Sequence, residues 1–108
     1  MDYKDLPFKI GMQYENWEFD LEIAPKDRIK GYDGFIYLGE ITVLNIKPLQ
    51  IELIFGLDIL AAVILSFKES DIPKFEMLKE HGYTQINQYF YISSPMLQPH
   101  IAFFLLHS

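Results

Sequence analysis

Ile59-Leu60-Ala61-Ala62-Val63-Ile64-Leu65-Ser66-Phe67 is an almost wholly apolar run, and its reading decides the fold. As a helix it would gather Leu60, Ala61, Ile64 and Leu65 on one face with Leu57, and Ala61-Ala62 suits a helix. As a strand it would be buried on both faces and therefore central in a sheet. Val63, Ile64 and the closing Ser66-Phe67 favour the strand. The stretch Leu53 to Phe67 is too short to cross a bilayer and contains Asp58.

Upstream, Leu49, Ile51, Leu53 and Phe55 alternate with Gln50 and Glu52, a second strand joined to the first by Gly56-Leu57-Asp58. Phe35 to Ile46 carries strand residues whose phase changes at Gly39-Glu40, where a bulge is expected, and Lys47-Pro48 closes it. Lys26 to Gly34 reads as a polar loop punctuated by glycine. Before it, Trp17-Glu18-Phe19-Asp20-Leu21-Glu22-Ile23 alternates large apolar residues with carboxylates, the pattern of a strand with one wet face. Phe8, Ile10, Met12 and Tyr14 form another alternating segment, and Glu15-Asn16 turns the two into a hairpin.

Downstream, Ser70-Asp71-Ile72-Pro73 resembles a helix start, Phe75 and Leu78 give an inward stripe, and Gly82 supplies a left-handed stop after His81. Tyr83 to Ile92 alternates again and reads as one strand, broken by Ser93-Ser94-Pro95. Ile101 to Leu106 reads as a final apolar strand. Residues 1–108 thus form a single α+β domain, a mostly antiparallel sheet of about seven strands with one or two helices.

The chain has 108 residues, half of them hydrophobic, and no cysteine, which excludes disulfides and thiolate metal sites. Its start lacks the basic-then-apolar order of a secretory signal, so a cytoplasmic location is expected. Fifteen acids against nine bases leave a net charge of −6, which opposes nucleic acid and anionic membranes as partners and favours basic ones. The charge is unevenly spread: residues 81–108 contain no Asp, Glu, Lys or Arg, and no base occurs from Glu15 through Pro25.

Catalytic signatures are lacking. His81, His100 and His107 have no metal-motif spacing, so neither a metal nor a cofactor is expected. No Gly-x-Ser-x-Gly elbow occurs, and Gly31-Tyr32-Asp33-Gly34 is a turn rather than a phosphate loop. Glu18, Asp20 and Glu22 recur about 7 Å apart along a strand, a spacing that any acidic strand gives and that singles out no glycosidase pair. A small enzyme using Glu18, Asp20 or His81 is the weakest reading, and the chain is expected not to be an enzyme.

Two features remain. Glu15, Glu18, Asp20, Glu22 and Asp33 supply carboxylates. Tyr83, Tyr89 and Tyr91 share one parity with Gln85 and Asn87, a polar-aromatic face suited to a protein interface. Together they describe a surface that steers a basic protein and then anchors it.

In size, acidity, lack of cysteine and lack of catalytic motifs, the chain resembles the immunity proteins that neutralise bacterial toxins, those of contact-dependent growth inhibition systems above all. Glu15 to Glu22 and Tyr83 to Tyr91 carry the comparison, which is one of type across the whole chain rather than of a motif. The resemblance implies a cytoplasmic inhibitor that binds one cognate toxin domain, such as a basic nuclease, and blocks its active site. A structural subunit forming a homodimer through apolar and tyrosine strand edges is the rival expectation.

Overall fold

The computed structural model describes residues 6–17 and 20–107. Six strands among them form one antiparallel sheet: β1 (Leu21–Ile23), β2 (Asp33–Tyr37), β3 (Gln50–Gly56), β4 (Ile59–Ser66), β5 (Thr84–Ile86) and β6 (Tyr89–Ser93), in the order β1-β2-β3-β4-β6-β5. Two helices accompany it, a 3₁₀ helix Glu69–His81 and the α-helix α1 (Gln98–His107). The fold is α+β, with six strands rather than seven.

The decisive run is the strand β4. It is central, and both of its faces are covered, which is why it carries no charge. Val63, Leu65 and Phe67 enter a core on one face with Phe8, Leu53, Phe55, Phe75, Leu78 and Phe90. Ala62 and Ile64 enter a second core on the other face with Ile54, Tyr91, Leu97, Ile101 and Leu105. No helix among the described residues is long and apolar enough to cross a membrane.

The 3₁₀ helix covers the first face. Its apolar residues Ile72, Phe75 and Leu78 recur every three positions, which aligns them along one line at three residues per turn. Phe75 stacks on Phe67 at 3.9 Å between centroids. The helix begins after Lys68, not at Ser70, and no side chain caps it. Gly82 ends it as expected, at φ 92, a conformation that glycine alone adopts without strain.

Besides the stretch 83–92, four expected strands differ. Phe8 to Tyr14 is no strand: its backbone pairs with the first residues of β4, where Gly11 N–H donates to Leu60 O and Leu60 N–H to Met12 O. β6 begins its pairing only at Ala62, so this stretch of β4 has its edge open to the N-terminal segment. The chain then coils through a 3₁₀ turn, Tyr14–Asn16, and Asp20 N–H donates to Trp17 O. That turn delays β1 until Leu21. Next, β2 stops at Tyr37, whose ring folds over Gly39 and occupies the space of any side chain there. Finally, Ile101 to Leu106 is helical. Leu97, Ile101 and Leu105 are spaced four apart and bury one stripe on the second face.

Candidate functional site

The sheet register assembles the site. Glu22 pairs with Ile36, Ile36 with Glu52, Glu52 with Ile64, and Ile64 with Tyr91, so these five side chains cross the second face in one row. α1 packs on β6 and β5 at one end of that row. The β1–β2 end stays open, and Asp20 and Glu22 are exposed there. Between the open half and α1 lies a cleft of about 440 Å³. Ile36, Gln50 and Glu52 form its floor, the loop 24–28 one wall, and Phe103, Phe104 and His107 the other.

Glu52 is the unexpected member. Its side chain is 4% exposed, and Arg28 Nε donates to both of its carboxylate oxygens at 2.8 Å. The Arg28 guanidinium also lies 5.8 Å from the centroid of the Tyr89 ring. Asp27 Oδ1 accepts from Gly34 N–H and fixes the loop that delivers Arg28. On the opposite wall, His107 Nδ1 donates to Phe103 O at 2.8 Å, and the two rings stack at 4.4 Å. These residues end α1, so the negative end of the helix dipole abuts the cleft.

The expected interface residues are only partly gathered here. Glu22 belongs to this face, Asp20 is exposed at the same sheet edge just before β1, and Glu18 lies outside the described residues. Asp20 sits close enough to Tyr37 that its charge, after burial, raises that phenol above the ordinary tyrosine value. Glu15 and Asp33 stand elsewhere, at the β3–β4 hairpin end: Tyr14 N–H donates to Asp58 O beside Glu15, and Asp33 pairs with Phe55. That tip presents Leu57, 97% exposed.

The tyrosines do not form one face. Asn87 at φ 53 makes a tight turn, and the strand expected over 83–92 is the hairpin β5–β6. Thr84 pairs with Tyr91 and Ile86 with Tyr89, so parity inverts across the turn. Tyr83 enters the first core, and burial pushes its phenol up to about 12. Tyr91 is buried in the second core, and Tyr89 is half-buried under Arg28. β6 is moreover an interior strand, and the edge beside it is β5.

Among the described residues no group of three His, Asp or Glu side chains gathers to hold a metal. No family model, curated protein or solved structure matches the chain.

Reasoning from sequence missed Glu52, Arg28 and the α1 wall. The available signal was Glu52 itself, one carboxylate inside Ile51-Glu52-Leu53-Ile54-Phe55, next to the most apolar run of the chain. In an outer strand such a residue is solvated, but in a strand beside a central one it needs a partner.

Proposed function

We propose that this chain is a protein-binding inhibitor of the immunity type, which holds one basic partner, such as a toxin nuclease domain, and blocks its active site. The observation that carries the reading is the open half of the second face. There Glu22 stands, with Asp20 exposed at the same edge, beside a cleft floored by a buried carboxylate, on a chain of net charge −6. Carboxylates held on a rigid strand present negative charge at fixed spacing, as a phosphate backbone does, and they accelerate encounter with a cationic surface. Exposed Ile23 and Leu38 at the same edge offer apolar contact once the partner has arrived. They replace Tyr83 and Tyr91, whose rings are committed to the two cores.

The test is capture from native cells at low and high salt, followed by association kinetics with the purified partner. A single basic, toxic polypeptide supports the inhibitor. Its association should slow by roughly tenfold on raising ionic strength or on Asp20→Asn/Glu22→Gln, with a smaller change in dissociation. An unchanged association rate removes the acidic face from the mechanism. Recovery of the chain alone, as a salt-insensitive oligomer, replaces the inhibitor with an assembly role.

A further inference from the structure

The cleft has chemistry of its own, and the geometry points to an arginine side chain of the partner as its occupant. Charge balance sets the sign of the ligand. Arg28 and Glu52 neutralise one another, and Lys26 is offset by Asp27 on the same wall. What remains is the carbonyl end of α1, together with Glu22, one strand out from Ile36 on the same face. The surplus is negative, so a cation fits and a carboxylate does not.

Shape favours guanidinium over ammonium. Phe103 is 55% exposed, and with His107 it makes a flat wall of stacked rings on which a planar cation can lie. Ile36, Pro25 and Phe104 suit the aliphatic stem of the incoming residue. For its donors, the Gln50 amide oxygen lies on the floor, and Glu52 has acceptor capacity beyond the single Nε–H of Arg28. Arg28 pairs with Glu52 where a buried carboxylate alone would be costly. About 440 Å³ accommodates one such side chain with its flanking backbone.

This inference rests on the reading of the second face as the partner's side, yet it is testable without the partner. ¹⁵N-labelled protein is titrated at low salt with acetyl-arginine-N-methylamide, with the isosteric uncharged citrulline derivative, and with the lysine and glutamate analogues. The arginine probe should shift amides at 24–28, 36, 50–52 and 103–107 with millimolar affinity. The citrulline and lysine probes should bind at least about fivefold more weakly, since only guanidinium combines charge with a stacking plane. Phe103→Ala and Glu22→Gln, both at exposed positions, should each weaken the arginine probe without unfolding the protein. Equal binding of citrulline, preference for glutamate, or shifts outside the cleft would overturn the socket. Loss of the socket alongside salt-dependent capture of a basic partner leaves the inhibitor standing. A working socket in a chain that captures no basic partner removes the inhibitor alone.

Discussion

Arg28 Nε lies 2.8 Å from both oxygens of Glu52, tying a surface loop to the middle of β3 across 24 positions of sequence. A buried ion pair contributes little net stability, because desolvation offsets the attraction, but removing one partner strands a charge. Arg28→Met should therefore cost about 3 kcal/mol in urea unfolding. Arg28→Met/Glu52→Leu should return to within about 1 kcal/mol of the parent. A double variant as unstable as the single one would mean that the pair acts by geometry rather than by charge compensation.

The 3₁₀ helix Glu69–His81 has weak means of its own. Its cap makes no side-chain bond, and its two ion pairs, Lys74–Asp71 and Lys79–Glu76, are exposed. Packing by Phe75 and Leu78 holds it. Phe75→Ala removes the stack on Phe67 and the edge contact with Phe90 and should cost about 3–5 kcal/mol. Hydrogen exchange should show amides 69–81 losing protection before those of β3 and β4. Met77→Ala, on the outer side, should change stability by less than about 0.5 kcal/mol.

How far such features are legible in sequence depends on whether they are local. β3 and β4 were legible because each is an apolar run whose alternation, or lack of it, reports its own burial. The helix before Gly82 was legible from its stop and its stripe. α1 was not, since Ile101 to Leu106 is apolar in any conformation and the deciding spacing begins at Leu97, across Pro99. The tyrosine face failed on the Asn87 turn, which inverts parity between Tyr83 and Tyr91 without any glycine to announce it. Glu52 looked like a wet-face residue because alternation within one strand cannot reveal that a loop and a helix shelter that face. The cleft joins residues 24–28, 36, 50, 52 and 103–107, which only the tertiary fold brings together.

Tyr83 links the first core to alkaline stability. Its phenol ionises near 12 in the fold, against about 10 in an unfolded chain. The folded value is raised, so the stabilising difference is complete below pH 10 and is lost as pH rises through 12. Its size is on the order of 2–3 kcal/mol. Unfolding midpoints should fall between pH 10 and 12, and Tyr83→Phe should flatten that fall. Absorbance titration should show Tyr83 ionising late in the folded protein, a component that Tyr83→Phe removes, and normally after denaturation.

Leu57 sets stability against exposure at the hairpin tip. Leu57 and Asp58 have φ 50 and 65, the left-handed pair of a two-residue turn that favours Asn-Gly. A left-handed leucine is strained, and at 97% exposure it recovers nothing by burial. Leu57→Asn with Asp58→Gly should therefore stabilise the fold by about 1 kcal/mol. The same change deletes an exposed apolar knob beside Glu15, together with the Asp58 carboxylate next to it. In the inhibitor reading, the variant melts later and binds its partner less tightly. A variant that gains stability and keeps full affinity would confine the interface to the second face, around Asp20, Glu22 and the cleft.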